Sequence, residues 1–276
     1  MNVLVIGGGN MGMTYAEAIA KSNFLSSGSL MIVDQSEEKR AELQATGLFD
    51  VHDRLETCMP KADVVLIAVK PNHAASLMDA MRGMVAPEQL FVSIMAGVTI
   101  DTIKQGLGAT KVVRAMPNLP ALVGQGMTSF TGSDEVSRLE LAAIEQLLDC
   151  TGRSIGLTSE SEIDASTGIS GSGPAYIFYF MQAMMDAAVK MGFAAEDARL
   201  LVSQTFAGAV ELFNSSTLTP EDWMDKVASK GGTTRAALDS MDENNVNALI
   251  QEAAYAAFRR AEELGKQTEG KEATNA

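Results

Sequence analysis

The chain opens with a strand, a glycine turn and a helix, and this pattern constrains its fold more than any other feature. The apolar run Val3–Ile6 leads directly into Gly7-x-Gly9-x-x-Gly12. Glycines at this point let the backbone approach a pyrophosphate, and the following helix N-terminus offers unpaired N–H groups. The next apolar run, 29–33, ends at Asp34, where a carboxylate can accept ribose hydroxyls. The pattern predicts dinucleotide binding; the alternative is a glycine turn without a ligand.

Composition sets limits on the class of protein. With 276 residues, of which 46% are hydrophobic, the chain is long enough for two domains with packed cores. A net charge of −14 argues against a nucleic-acid role, which needs a basic face. Cys58 and Cys150 lack a CxxC pattern and are expected to be structural. His52 and His73 have no Cys or carboxylate cluster beside them, so no metal is predicted.

The expected location is a reducing cytoplasm. No signal peptide precedes the first predicted strand, and no apolar run approaches the ~20 residues that span a membrane. The spacing of the two cysteines agrees with a compartment in which disulfides are rare.

The two halves of the chain have different patterns. The first half alternates strand-like runs (Val3–Ile6, Leu30–Val33, Val64–Val69, Leu90–Ile94, Val112–Ala115, Met127–Thr131, Arg153–Leu157) with helical segments. This alternation predicts a Rossmann-type, doubly wound, mostly parallel sheet in residues 1–158, with helices on both faces. From 159 to 265 the signals are almost all helical, which predicts an all-α domain. Residues 266–276 are polar and are predicted to be a disordered tail.

One helix of the second half indicates self-association. Pro174 is typical of a helix start, and the segment 175–181 is apolar on every face. About five helices hardly suffice to enclose such a helix within one subunit. We therefore expect a second copy of the chain to pack around it, the alternative being a buried helix in a monomer.

Three predicted strands end in segments that converge on one crevice. These segments are Ala68-Val69-Lys70-Pro71, Ser93 to Ala96-Gly97, and Arg114 to Asn118. In an open α/β sheet, ligands bind beyond the carboxyl ends of the strands, so these residues are expected to line the cofactor crevice. Lys70 is expected to be structural or solvated rather than a direct catalytic residue.

A second glycine motif lies in the helical half. The segment Ser229-Lys230-Gly231-Gly232-Thr233-Thr234 precedes a short predicted helix. Two glycines before a helix, with hydroxyls beside them, form a nest of free N–H groups that suits a carboxylate. The alternative is an ordinary helix cap by Thr233. A third glycine-rich segment, 168–174, is compatible with helix packing or with ligand contact.

Redox chemistry is the class that the motifs favour. The chain contains no P-loop and no Ser-His-Asp order, so phosphoryl transfer and triad catalysis are not indicated. In hydride transfer the cofactor carries the chemistry, and the protein positions it and excludes water. An imine acceptor fits best, because a protonated imine is already electrophilic and needs no strong general acid. No catalytic acid or base is therefore assigned.

Taken together, these motifs resemble the pyrroline-5-carboxylate reductase family over nearly the whole chain. The resemblance rests on Gly7-x-Gly-Asn-Met-Gly12, Ala68-Val-Lys-Pro71, Ser93-Ile-x-Ala-Gly97, the block 114–123, Ser170-Gly-Ser-Gly-Pro-Ala-Tyr176 and Gly231-Gly-Thr-Thr234. It implies reduction of 1-pyrroline-5-carboxylate to proline with NADPH or NADH. It also implies a helical C-terminal domain that interlocks into a homodimer, which can assemble further into rings.

The resemblance also implies roles for individual residues. The cofactor residues are Gly7, Gly9, Asn10, Met11 and Gly12 at the pyrophosphate, Asp34 at the ribose, and Ala68, Val69, Lys70, Pro71, Ala96 and Gly97 around the nicotinamide. The substrate residues are Ser229, Gly231, Gly232, Thr233 and Thr234, which meet the carboxylate or the ring nitrogen.

The chain departs from the family pattern in three segments: the loop around Lys230, the block at Leu119 and the end of the second predicted strand. Lys230 stands where the family often has proline, and Leu119 stands where it often has threonine, so a hydroxyl role there is in doubt. Asp34 would repel a 2′-phosphate, and Gln35 supplies no positive charge. We therefore expect NADH to be preferred over NADPH, although Lys39 and Arg40 could still reach a phosphate.

Two other functions remain as alternatives. One is a hydroxyacid dehydrogenase of the 6-phosphogluconate dehydrogenase type, whose second motif can be laid on Gly168, Gly171 and Gly173. Its lysine and asparagine then fall on Ile177 and Met181, so the groups that handle an alcohol proton are missing. The other is a non-catalytic dinucleotide sensor, which would not need an intact anion nest.

Overall fold

The computed structural model describes residues 1–25 and 28–272. The strands are β1 (Val3–Ile6), β2 (Leu30–Val33), β3 (Asp50–His52), β4 (Val64–Ile67), β5 (Leu90–Ser93), β6 (Lys111–Met116), β7 (Gly126–Gly132) and β8 (Gly152–Gly156). They form one sheet in the order β3-β2-β1-β4-β5-β6-β7-β8. Every pairing is parallel except that of β6 with β7. The chain order reverses from β1 to β4, so a switch point lies beside the glycine turn.

Helices cover both faces of this sheet. They are α1 (Asn10–Lys21), α2 (Glu37–Thr46), α3 (Ala74–Met81), α4 (Ile100–Leu107), α5 (Arg138–Asp149) and α6 (Glu160–Ser166). Side chains of β1 alternate: Leu4 and Ile6 pack into the core under α3 and α4, and Val3 and Val5 into the core under α1, α2 and α5. A strand buried on both faces reads as a continuous apolar run, as the sequence does here.

The second half is helical, as predicted. It contains α7 (Gly173–Lys190), α8 (Ala195–Asn214), α9 (Pro220–Val227), α10 (Thr233–Glu243) and α11 (Val246–Glu272). Within the described chain, none of the residues of α7 is buried, and Phe178 and Tyr179 are 61% and 78% exposed. A single subunit therefore leaves the apolar surface of this helix open, which agrees with the expectation that a second copy covers it.

Two compact units are present, and their limits differ from the predicted domain boundaries. The first comprises Met1–Ser172 and the chain from Ala256 onward; the second is Gly173–Tyr255. The first unit extends beyond the predicted functional boundary after residue 158, because α6 packs against β6 and β7. The predicted disordered tail also differs from the structure, because α11 continues to Glu272. Residues 273–276 of that tail lie outside the described residues.

The fold class is confirmed: a Rossmann-type doubly wound sheet precedes an all-α region. One strand, β3, was not predicted, since its three residues, Asp-Val-His, carry no alternation that distinguishes them from a loop. In the part of the chain that the structure describes, no helix has the length and apolar character required to cross a bilayer.

Candidate active site

The glycine turn between β1 and α1 has a geometry that only glycine permits. Gly7 has a φ of +103°, in the region that side chains other than glycine's rarely adopt. A Cβ on Gly12 would lie 2.0 Å from the carbonyl oxygen of Gly7. By contrast, a Cβ on Gly9 would have no described heavy atom within 4 Å. The turn is therefore closed on its inner side and open at Gly9, where a ligand can approach the backbone.

The first turn of α1 begins without a capping side chain. Its N-cap residue is Gly9, which makes no side-chain cap hydrogen bond among the described residues. The amides of Asn10, Met11 and Gly12 precede the first helical hydrogen bond, in which the Met13 amide donates to the Gly9 carbonyl at 2.9 Å. Uncapped amides together with the helix dipole make this end a binding place for an anion.

Asp34 lies immediately after β2 and contacts the glycine turn. Its Oδ2 accepts a hydrogen bond from the Gly8 amide at 2.6 Å, and its Oδ1 accepts one from the Ser36 amide at 2.8 Å. Arg40 Nη1 donates to the carbonyl oxygens of Asp34 and Gln35, at 3.0 and 2.8 Å. The carboxylate is thus fixed beside the turn, and each of its oxygens retains acceptor capacity.

The segment after β4 packs directly under the glycine turn. The Ala68 amide donates to the Ile6 carbonyl at 2.9 Å. A Cβ on Gly7 would be 3.1 Å from Val69 Cγ1, and a Cβ on Gly12 would be 3.1 Å from Ala68 Cβ. Lys70 and Pro71 are exposed at the same edge of the sheet. The structure therefore brings Ala68 and Val69 to the glycine turn, and the role of the whole segment in lining a cofactor crevice stays a prediction.

The segment after β5 lies against the C-terminal part of α11. Gly97 has a φ of +71°, and a Cβ there would be 3.4 Å from Leu264 Cβ. Ala96, beside it, is exposed. This contact places the part of α11 that belongs to the first unit at the carboxyl edge of the sheet, a position that the sequence did not predict because it joins residues far apart in the chain.

The side chain of Arg114 in β6 is buried and forms ion pairs within the protein. Its side chain is 4% exposed and forms ion pairs with Glu160 at 3.1 Å and Asp164 at 2.6 Å. Glu160 also accepts a hydrogen bond from the Ile100 amide at 3.0 Å. These bonds fix α6 against β6 and the start of α4. An arginine within an apolar strand signals that counter-charges are near, but the sequence does not say which residues supply them.

The loop 229–234 lies in the second compact unit. Gly231 has a φ of +73°, and the Gly232 amide donates to the Ser229 carbonyl at 3.0 Å. The N-cap of α10 is Gly232, without a side-chain cap hydrogen bond among the described residues. The alternative that Thr233 caps the helix is wrong, because Thr233 is the first helical residue. The amides of Thr233 and Thr234 therefore begin an uncapped helix, as an anion nest requires.

Groups with shifted pKa values lie elsewhere. Burial raises the pKa of Tyr15, whose hydroxyl is 2.9 Å from Thr128 Oγ1, and raises the pKa of the Cys58 and Cys150 thiols. Four carboxyl groups have a lowered pKa because they accept hydrogen bonds: Glu135, Glu140, Glu162 and Asp222. None of these residues belongs to the predicted cofactor or substrate segments.

Comparison with known proteins agrees with both halves of this description. A family model for pyrroline-5-carboxylate reductase dimerisation matches residues 160–264. A model for NADP oxidoreductase, coenzyme F420-dependent, matches residues 2–97. Pyrroline-5-carboxylate reductase of Pseudomonas aeruginosa is 36% identical over 96% of this chain and 97% of its own length. The Haemophilus influenzae enzyme of the same name is 32% identical over 95% and 97%.

Solved structures give the same result. A pyrroline-5-carboxylate reductase from Coxiella burnetii matches with a TM-score of 0.89 and 30% identity, covering 95% of this chain and 98% of that one. Pyrroline carboxylate reductase from Plasmodium falciparum, solved with NADP bound, matches with a TM-score of 0.83 and 27% identity, covering 96% and 98%.

The fold and the glycine turn define the general class, an NAD(P)-dependent oxidoreductase with a Rossmann-type domain and a helical C-terminal region. The relatives are more than 30% identical along almost the entire chain. The chain therefore belongs to the pyrroline-5-carboxylate reductase family.

Proposed function

We propose that this protein reduces 1-pyrroline-5-carboxylate to L-proline with a hydride from NADH or NADPH, the final step of proline biosynthesis. The observation that carries the proposal is the extent of the similarity: it covers 96% of the chain and includes both the glycine turn and the helical half. A protein that kept only the cofactor domain would have no reason to retain the second glycine loop.

The residues of the first unit fit a dinucleotide. The open position at Gly9 and the uncapped amides of Asn10, Met11 and Gly12 suit the pyrophosphate. Gly7 lets the chain turn into α1. Asp34 would accept hydroxyl groups of the adenosine ribose. The segments Ala68-Val69-Lys70-Pro71 and Ala96-Gly97 would flank the nicotinamide, since they end neighbouring strands at the same edge.

The substrate carboxylate is proposed to bind at the loop of the helical unit. The amides of Gly231, Thr233 and Thr234 can donate hydrogen bonds to it, while the Gly232 amide donates to the Ser229 carbonyl and closes the turn; the Ser229 hydroxyl lies close to Gly232. Charge-assisted hydrogen bonds of this kind are roughly twice as strong as neutral ones. They would also hold an anion on a chain with a net charge of −14, because the local dipole dominates at contact.

The chemistry places few demands on acid–base groups of the protein. When bound, the reduced nicotinamide supplies the hydride to the imine carbon. A protonated imine accepts it without a general acid, so the residues of this chain bind, orient and exclude water. No residue is assigned as catalytic acid or base.

NADH is proposed as the preferred cofactor. The Asp34 carboxylate would lie near the 2′ position, where NADPH carries a phosphate of the same sign. Two unit charges 4 Å apart repel by about 1 kcal/mol even at the dielectric constant of water. Removing this repulsion in the variant Asp34→Ser should therefore lower the ratio of kcat/KM for NADH to that for NADPH about fivefold or more. An unchanged NADH/NADPH ratio of kcat/KM would refute this role.

Residues 159–265 are proposed to act as the substrate and dimerisation domain, and residues 1–158 as the cofactor domain. The helical region matches the dimerisation model, and the open apolar surface of α7 supports pairing of two copies. A cytoplasmic location is proposed because Cys58 and Cys150 are free thiols.

The rival functions make different predictions for one assay. Purified protein is mixed with 1-pyrroline-5-carboxylate, and the absorbance of NADH and of NADPH is followed in separate reactions. Oxidation of the cofactor that depends on the imine is expected. A dinucleotide sensor would bind NADH without turnover, and a hydroxyacid dehydrogenase would act on an alcohol and NAD but not on the imine.

A further inference from the structure

The glycine turn is fixed by a side chain that lies 26 positions away in the chain. Gly8 has no side chain, and its amide donates to Asp34 Oδ2 at 2.6 Å. Next to it, the Gly7 amide donates to the Val33 carbonyl at 2.9 Å. A Cβ on Gly8 would lie 3.0 Å from Leu43 Cδ1 and 3.2 Å from Asp34 Oδ2. The turn therefore lies against α2 and the end of β2.

The carboxylate that binds Gly8 is itself fixed from two directions. Its other oxygen accepts the Ser36 amide at 2.8 Å. Arg40 Nη1 donates to the carbonyls of Asp34 and Gln35, which fixes the backbone that carries the carboxylate. The position of Asp34 is thus set before any ribose contacts it.

We propose that Asp34 is a positioning residue for the phosphate-binding turn, in addition to its proposed contact with the ribose. Gly7, Gly8 and Gly9 are flexible residues that lose much conformational entropy when ordered. A charge-assisted hydrogen bond from outside the turn holds the amides of this segment in place. The inference rests on the proposed binding of a dinucleotide at this turn. If the proposal is correct, removing the Asp34 carboxylate weakens binding of the pyrophosphate group, which NADH and NADPH share.

Two variants separate this effect from the loss of charge. Asp34→Ser removes the carboxylate and the bond to Gly8. Glu37→Ser removes one negative charge from the first turn of α2 and leaves that bond intact. Both are made in the full chain and compared with the parent protein without cofactor.

The first readout is hydrogen exchange of the Gly8 amide. Loss of one such bond is expected to speed its exchange about fivefold or more in Asp34→Ser, with no more than a twofold change in Glu37→Ser. Unchanged exchange in Asp34→Ser, or equal changes in the two variants, would overturn the proposal.

The second readout is the affinity for inorganic pyrophosphate, which has no ribose. Removing a nearby negative charge should by itself tighten binding of this anion. We expect the opposite sign for Asp34→Ser, about threefold weaker binding, while Glu37→Ser binds equally well or more tightly. Tighter binding by Asp34→Ser would overturn the proposal. The NADH/NADPH ratio tests the ribose contact separately, so either role can fail without the other.

Discussion

Replacing Gly231 by alanine tests the substrate loop most sharply, because the chain provides a matched control. Gly231 has a φ of +73° and Gly108 a φ of +70°, and a Cβ at either position would have no described heavy atom within 4 Å. Gly108 ends α4, where its amide donates to the Lys104 carbonyl at 2.9 Å. Alanine in this left-handed conformation costs about 1 kcal/mol at each position. Gly231→Ala and Gly108→Ala are therefore expected to lower Tm by a similar few degrees.

The two variants should differ in catalysis. Relief of the strain at Gly231 shifts the loop backbone and with it the amides of Gly231 and Thr233, which are proposed to bind the carboxylate. Loss of one charge-assisted hydrogen bond, worth about 1.5–3 kcal/mol, lowers kcat/KM for 1-pyrroline-5-carboxylate about 10- to 100-fold. The KM for NADH should stay within about twofold, because its proposed contacts lie at the sheet edge. Gly108→Ala should retain the parent activity.

The assay is steady-state kinetics. In one series the imine concentration is varied at saturating NADH, and in the other the NADH concentration is varied at saturating imine. If Gly231→Ala keeps a kcat/KM for the imine within twofold of that of Gly108→Ala, the loop does not bind the substrate. A parallel rise in the KM for NADH would also contradict the assignment of the loop to the carboxylate alone.

Three further predictions concern stability and assembly. Arg114→Met leaves the carboxylates of Glu160 and Asp164 without their ion-pair partner. This variant should lower the free energy of unfolding, measured in urea, by about 3 kcal/mol. As a control, Arg138→Met, which replaces an exposed side chain, should change it by less than about 0.5 kcal/mol. Phe178→Glu on the open face of α7 should shift the protein toward monomers in sedimentation experiments. The control Leu139→Glu, at a position that is 85% exposed on the first unit, should leave the oligomeric state unchanged. A dimeric Phe178→Glu variant would exclude this face of α7 from the interface. Hydrogen bonds from Lys111 and then Ser137 lower the pKa of Glu140 from 4.5 to about 2, so its stabilising contribution is complete above pH 4.5 and is lost as the pH falls through about 2. The difference in stability between the parent and Glu140→Gln should follow that course, and a constant difference from pH 7 to pH 2 would contradict it.

The central strands of the first half were predictable because burial on both faces leaves apolar runs. Five strands, β1, β2, β4, β5 and β6, follow such runs. The predicted strands β7 and β8 have mixed sequences, and β3, which consists of Asp50, Val51 and His52, forms through its pairing with β2. The antiparallel pairing of β6 and β7 is a tertiary property that periodicity does not encode. At two helix starts the sequence contains a signal that the prediction did not use. Ser137 and Ser159 each form a capping box with a glutamate three residues later.

In the candidate site, too, local features could be predicted from the sequence and contacts between distant residues could not. Glycine spacing and strand ends indicated the turn after β1, Asp34 and the segments after β4 and β5, since these features are local. The bond between Gly8 and Asp34, the ion pairs of Arg114 and the contact of Gly97 with Leu264 join distant residues. Their existence depends on how the chain packs, so the sequence indicated Asp34, Arg114 and Gly97 but not their partners.

The most direct measurement is a crystal structure of the protein with an oxidised nicotinamide cofactor and proline bound together. The account predicts that the proline carboxylate accepts hydrogen bonds from amides of Gly231, Thr233 and Thr234, with its ring stacked against the nicotinamide above the strand ends of one subunit. Proline bound elsewhere, or a loop that lies far from the nicotinamide of every subunit, would contradict it.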